Sequence, residues 1–368
     1  MADASVNVQC PNCGAPLAYA PGTEKVVCEY CGTEFDVKTV EALYAQKEAV
    51  AAAAQKAKEA KWDTAKAGGA WTEEEEAHLT AFRCSSCGAE IVCDENTMAT
   101  ECVYCGNPTF IPGRFEGMLK PDFIIPFTKT KDDATAALKE FYKGKFLLPK
   151  EFTAQNRVEA IQPMYVPFWL FDSKVTAEGI FRGENDMVYD TPQAVITETS
   201  IYQCSRKGTM EFHRIPVDGS KKMDDTYMES IEPFDYKALV PFSSAYLTGF
   251  LADKYDVTAD DAVPRADRRV KKSAMEVLKG TVRGYMRCIP EEEALVKDEG
   301  SVSYAMAPVW ILTTRYRDKA YTFMMNGQTG KVAGTLPYDR QKSYFILGIV
   351  TAVFAPLFYF LVKTVMAG

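Results

Sequence analysis

Apolar and polar positions follow different periods in different stretches of the chain. Short apolar runs at 17–19, 25–27 and 34–37 alternate with turn residues and predict a small sheet. From 41 to 67 nearly every residue is a strong helix former, ended by Gly68-Gly69. Large apolar residues are sparse there (Leu43, Val50, Trp62), which predicts a solvated helical spacer of roughly 40 Å at 1.5 Å per residue, with a coiled-coil seam as the alternative. Further helical periods lie at Lys131–Tyr142 and 267–287, each ahead of a strand-like run. Those runs match: 165–172 holds Pro167-Phe168-Trp169 and 306–313 holds Pro308-Val309-Trp310, which predicts an αββ unit used twice. Between them, alternation at 194–205 and 209–217 around Arg206-Lys207-Gly208 predicts a hairpin turning at that glycine. Residues 343–362 carry no charge, enough at 1.5 Å each to cross a hydrocarbon core of roughly 30 Å. The expectation is a transmembrane helix, kinked at Pro356. Arg340 and Lys342 ahead of it would hold the bulk of the chain in the cytoplasm.

The cysteines give the strongest chemical signal. Cys10 and Cys13 are followed by Cys28 and Cys31, and Cys84 and Cys87 by Cys102 and Cys105, with equal intervals in both sets. Each pair is two residues apart and is followed by glycine, which lets backbone amides fold back towards the sulfurs. Two such turns complete a four-sulfur tetrahedron, so eight cysteines predict two zinc ribbons, each closed by thiolates around a structural Zn2+. Cys93, Cys204 and Cys288 fall outside the grid and are expected to be packing residues.

The expected organisation is therefore α+β: zinc ribbon 1 at 1–40, a helical linker at 41–79 and zinc ribbon 2 at 80–115. A mixed α+β body at 116–338 and the membrane helix at 343–362 complete it. Charge narrows the function. The chain of 368 residues has a formal charge of -8, and phosphate-backbone affinity depends on clustered lysine and arginine. Neither ribbon is basic: Lys25 and Lys38 face Asp3, Glu24, Glu29, Glu34 and Asp36, while Arg83 and Arg114 face Glu90, Asp94, Glu95 and Glu101. Nucleic acid is thus an unexpected partner. Met1-Ala-Asp-Ala-Ser has neither basic start nor apolar run, in keeping with reduced thiolates in the cytosol.

Candidates for catalysis are few. His78 and His213 are the only histidines, and His213 with Asp218 and Ser220 would make a triad only if the turn Val217-Asp218-Gly219-Ser220 were a nucleophile elbow, whose context is missing. Asn326-Gly327-Gln328-Thr329-Gly330-Lys331 has Met325 and Val332 where a phosphate loop requires glycine and Ser or Thr, so a hairpin turn is expected. Asp224-Asp225 and Asp260-Asp261 read as helix starts or solvated turns. Tyr165, Phe168, Trp169, Phe171 and Trp310 have strand spacing and are expected in the core rather than around a ligand.

The first cysteine grid, the 165–172 run, Ile-Pro-Val-Asp-Gly-Ser at 215–220, Ser-Ile-Glu-Pro-Phe-Asp-Tyr at 230–236, the 246–256 segment and Asn-Gly-Gln-Thr-Gly-Lys at 326–331 occur in one order. In that order the chain resembles, over nearly its full length, a YdjG-like bacterial family of membrane-anchored proteins with TFIIB-type zinc ribbons, encoded among phage-shock-type membrane-stress genes. The resemblance implies a cytoplasmic platform that recruits stomatin/flotillin-like and phage-shock-protein-A-like partners, with no catalytic residue. The expected function is a non-enzymatic, tail-anchored adaptor, with oligomers allowed. Two rivals stand beside it: a nucleic-acid-binding or transcription-related ribbon protein, and a membrane-associated enzyme or ligand sensor using a cleft in the body.

Overall fold

Four glycine-closed knuckles, two threonine-capped helices and several long strands set the architecture. The computed structural model describes residues 9–20, 23–56, 61–94, 97, 101–113, 117–155, 158–317 and 319–367. Asp3, Val6, Glu95, Arg114 and positions 57–60 of the expected helix lie outside the described residues. The fold is mixed α+β, with a three-stranded sheet and a thirteen-stranded one. The chain makes two compact units. One comprises Met1–Asp63, Phe171–Ile215 and Val263–Val302, the other Thr64–Leu170, Pro216–Ala262 and Ser303–Gly368. The expected 116–338 body contributes to both.

In the first unit, strands Ala18–Tyr19, Lys25–Val27 and Glu34–Asp36 form the small antiparallel sheet. Helix Val37–Lys56 follows directly. It is not a free spacer: Val50 is buried against Ile180 and Ala294, with Ala53 and Ala54 beside it. Alanines allow the helix backbone to approach a strand surface closely, so a few small residues replace the broad apolar face that spacing arguments look for. The sheet beneath consists of parts of strands Gln162–Asp190 and Val195–Asp218 with Arg287–Lys297. On it, Ala274, Met275 and Leu278 of helix Ala259–Gly280 pack against Ala177, Phe181 and Cys204. Trp62, expected in the spacer helix, instead lies in a short strand paired with Gly300. Its indole donates to Asp267 Oδ1 at 2.9 Å, its ring meets Phe171 edge-on, and the Lys297 ammonium sits 4.3 Å from the ring centroid.

The second unit shows the internal repeat in atomic detail. At the centre of its sheet, strands Gly300–Tyr316 and Gln162–Asp190 are neighbours. The short strand Phe123–Ile124 pairs in parallel with Ala305 and Met306, and Leu251–Asp253 pairs in parallel with Met164 and Tyr165. Each pairing ends two residues before a proline. The Pro308 carbonyl accepts from Gly327 N–H at 2.8 Å, and the Pro167 carbonyl accepts from Gly219 N–H at 2.8 Å. Gly327 O then accepts from Thr128 and Lys129, as Gly219 O does from Asp256 and Val257. Trp310 Nε1 donates to Lys129 O at 3.1 Å and Trp169 Nε1 to Val257 O at 2.9 Å. The next residue caps a helix in both places: Thr130 with Asp133, and Thr258 with Asp261. Thr-x-x-Asp here forms reciprocal capping boxes. The repeated element is a short strand, a capped helix and a long strand, with each short strand pairing to the other copy's long strand.

Two further expectations change. The turn foreseen at Gly208 is absent, because Val195–Asp218 is one continuous strand in which Gly208 takes no positive φ. The chain turns instead at 191–194, where Pro192 precedes a Thr191 N–H to Ala194 O bond of 2.9 Å. The C-terminal segment is helical at Arg340–Ala367, but no helix is long and apolar enough among the described residues to cross a membrane. Its described side chains are unbroken from Ser343 only to Pro356, roughly 21 Å of helix at 1.5 Å per residue against a core of roughly 30 Å. The side chains at 357, 360 and 361 lie outside the description. Thus neither the expected transmembrane helix nor the single-pass membrane location is supported.

Candidate metal centres

Each cysteine pair sits on the same local scaffold. In the first pair Gly14 N–H donates to Cys10 O at 2.9 Å and Cys10 N–H to Ala15 O at 2.6 Å. Equivalent bonds close the others, from Gly32, Gly88 and Gly106 to Cys28, Cys84 and Cys102. All four glycines have φ between 68° and 76°, the left-handed region that a side chain disfavours. The signal read from Cys-x-x-Cys-Gly is therefore a folded turn, repeated four times.

Those turns bring the sulfurs together in two groups: Cys10, Cys13, Cys28 and Cys31, and Cys84, Cys87, Cys102 and Cys105. In each group the ligand atoms all lie within 4.8 Å of one another. Cys10–Cys31 and Cys13–Cys28 are 3.6 and 3.5 Å apart, and Cys84–Cys105 and Cys87–Cys102 are 3.6 and 3.7 Å. A disulfide would need about 2.05 Å. A tetrahedron with metal–sulfur bonds of about 2.3 Å places its sulfurs about 3.8 Å apart, so both groups fit a tetrathiolate ion. Such a centre has all four positions taken by protein, leaving none for water or substrate.

The environments differ. In the first group Cys13 and Cys31 are exposed, and the Thr33 hydroxyl, 3.2 Å from Cys31 Sγ, lowers that thiol to about 6. Near this group lies a cavity of about 690 Å³ within the first unit, bordered by Cys10, Cys13, Tyr44, Lys47, Arg182 and Glu291. The second group is built into the other unit's sheet. Strand Leu79–Cys84 pairs with Glu90–Asp94 and Phe110–Gly113, and Glu90–Asp94 pairs in turn with Leu251–Asp253. Ile91, Cys93 and Val103 belong to that unit's main hydrophobic cluster. Tyr104, between ligands Cys102 and Cys105, lies beside Asp253 and Ser220. Lys222 Nζ donates to Cys87 O at 2.7 Å. Burial pushes Asp253 up to about 7, partly offset by the hydroxyls of Ser220 and Tyr104. Asp253 and Tyr104 were not singled out by motif reasoning; the only hint was a polar residue inside the apolar 246–256 run.

The remaining candidates do not assemble a reactive site. His213 is exposed, with Nδ1 3.3 Å from Asp172 Oδ1, whereas Asp218 and Ser220 are buried. The 326–331 segment is a hairpin turn, with Gly330 N–H donating to Asn326 O at 2.9 Å. Asp224 and Asp235 cap short helices. Tyr165, Phe168, Trp169, Phe171 and Trp310 are all buried, as core residues are. Cys93, Cys204 and Cys288 join hydrophobic clusters.

No family model matches the chain, and no solved structure does. A curated protein of Bacillus subtilis (strain 168), the uncharacterized protein YdjG, is 31% identical to it over 366 residues, 99% of each chain.

Proposed function

Because the chain belongs to the YdjG family, we propose that it is a non-enzymatic adaptor, a scaffold whose surfaces recruit protein partners and whose two tetracysteine centres hold structural zinc. Zinc suits four thiolates in a tetrahedron, imposes no redox chemistry and contributes folding free energy to small sheets. The observation that carries this reading is the closure of both centres: eight sulfurs occupy every ligand position, and each knuckle is braced by its own amides. The histidine, aspartate and aromatic candidates for chemistry are dispersed or packed, which agrees with a binding role. The acidic surroundings of both centres favour protein over nucleic-acid partners. The family resemblance suggests stomatin/flotillin-like and phage-shock-protein-A-like proteins as the first to try.

The test is affinity isolation with the wild-type chain and a Cys10→Ser/Cys13→Ser variant, partners being identified by mass spectrometry and metal by elemental analysis. Two zinc ions per wild-type chain, one in the variant, and partners lost in parallel are the expected results. Unchanged partners after loss of the first ion would remove that centre from recruitment. Salt-sensitive DNA or RNA binding would replace the adaptor with a nucleic-acid protein.

A further inference from the structure

Strands Gln162–Asp190 and Val195–Asp218 form a hairpin whose far end is unsupported. The third strand of that sheet, Arg287–Lys297, accompanies it only to the register pair Arg287 and Glu184, and Met286 N–H adds one bond to Glu184 O at 2.9 Å. Beyond that point the described residues form a two-stranded arm. Positions 187–190 and 192–200 are all exposed, among them Met187, Val188, Val195 and Ile196. Val195 and Ile196 are consecutive, so they face opposite sides of the ribbon and apolar groups lie bare on both. A two-stranded ribbon is marginal in water and gains independent stability from a third strand.

Among the described residues, Val195–Asp218 pairs with one strand only, so its outer edge is open. Natural edges are usually guarded by lysine, proline or a bulge. Residues 195–202, Val-Ile-Thr-Glu-Thr-Ser-Ile-Tyr, contain a single charge and no proline or glycine. The segment is also complementary to itself. Laid antiparallel on a second copy about a two-fold axis between Glu198 and Thr199, it sets Val195 opposite Tyr202, Ile196 opposite Ile201, Thr197 opposite Ser200 and Glu198 opposite Thr199. Every apolar residue meets an apolar one. Opposed residues share a face, so the two Glu198 carboxylates fall on opposite faces of the joined sheet. The arm's other edge lacks this property, because 186–190 paired with itself would set Asp186 against Asp190 twice.

We propose that the chain self-associates through this arm, 195–202 of one copy pairing antiparallel with 195–202 of a second in a closed, isologous dimer. The contact joins two sheets into one and covers both bare edges at once. It concerns a surface distinct from either metal centre and does not depend on the adaptor reading.

Light scattering coupled to size exclusion on the full-length, metal-loaded chain tests the proposal. Wild type is expected at twice the mass of one chain. Ile201→Lys and Ile196→Glu, each placing a charge opposite an isoleucine, are expected to shift the protein to monomer. The double variant Ile196→Glu/Ile201→Lys sets Glu opposite Lys in both pairs and is expected to restore the dimer, which a merely damaged arm would not. A Thr197→Cys/Ser200→Cys variant is expected to cross-link between chains under mild oxidation, where the parent chain does not. A monomeric wild type overturns the proposal, as does a dimer indifferent to both single variants or a double variant that stays monomeric.

Discussion

Asp253 shows most sharply what one buried residue does in this fold. It is 2% exposed, its backbone pairs with Ile91, and Ser220 and Tyr104 are the hydroxyls beside it. In the repeat, its counterpart is Ile125, which is 1% exposed and carries no polar group to satisfy. Burial raises the Asp253 carboxyl from the ordinary carboxylate range to about 7. A raised acid favours the protonated folded state, so its contribution is full below about pH 4 and is lost as pH rises through about 7. The ceiling on that loss is about 4 kcal/mol at 1.36 kcal/mol per pH unit. Asp253→Asn keeps the shape and removes the titration. Its urea unfolding midpoint, compared with that of wild type between pH 6 and 8, is expected to pull ahead as pH rises. A constant difference across that range would show that Asp253 does not ionise in the folded state. No sequence pattern marks Asp253 as buried, since its neighbours Lys254 and Asp256 suggest a solvated turn. By contrast, the glycine after every second cysteine was legible, because only one local geometry makes use of it.

Among elements, the paired prolines and tryptophans gave the duplication away, yet the exchange of short strands between copies was not readable. Parallel pairing of Phe123–Ile124 with 305–306 joins residues far apart in sequence, and two-residue strands have no period. The repeat makes comparative predictions. A Cβ on Gly327 would lie 2.6 Å from Phe127 and 2.9 Å from Pro308, whereas one on Gly219 would meet Pro167, Trp169 and Tyr255 no closer than 3.3 Å. Gly327→Ala should therefore cost more stability than Gly219→Ala, by about 1–3 kcal/mol as overpacking usually does. Denaturant titration of the two variants checks the order, and equal costs would mean that Phe127 moves aside freely. The caps offer a second comparison. Thr130→Ala and Thr258→Ala each leave helix N–H groups without an acceptor and should each cost about 1 kcal/mol. Similar losses are expected because the two boxes have matching geometry, with Oγ1 accepting at 3.2 Å in both.

For the molecule as a whole, the cysteine grids were equally plain in sequence but their structural depth was not. Spacing fixes which sulfurs meet; it does not say what the surrounding strands join. The first centre lies on a three-stranded sheet whose described side chains are mostly exposed, with Cys10 and Cys28 the buried ones. There, metal binding must supply most of the folding free energy. The second centre's strands continue into a sheet through Val92 and Ala252, and Ile91 and Val103 are part of a large apolar cluster. Removing its ion leaves thiolates close together beside that cluster and withdraws the support for Tyr104 and the Cys87 carbonyl. Cys10→Ser/Cys28→Ser is thus expected to abolish amide protection across 9–36 while the 175–184 ladder with Arg287–Lys297 keeps its own. Cys84→Ser/Cys102→Ser is expected to lose protection at Leu79–Cys84, Glu90–Asp94 and Leu251–Asp253 together, and to lower the overall unfolding midpoint by several kcal/mol, in keeping with loss of a structural ion from a core element. Hydrogen exchange resolved by peptide reads both outcomes from the same samples. Loss confined to 79–113 after the second substitution would mean that the sheet holds Leu251–Asp253 without the ion, and that the second centre is as peripheral as the first.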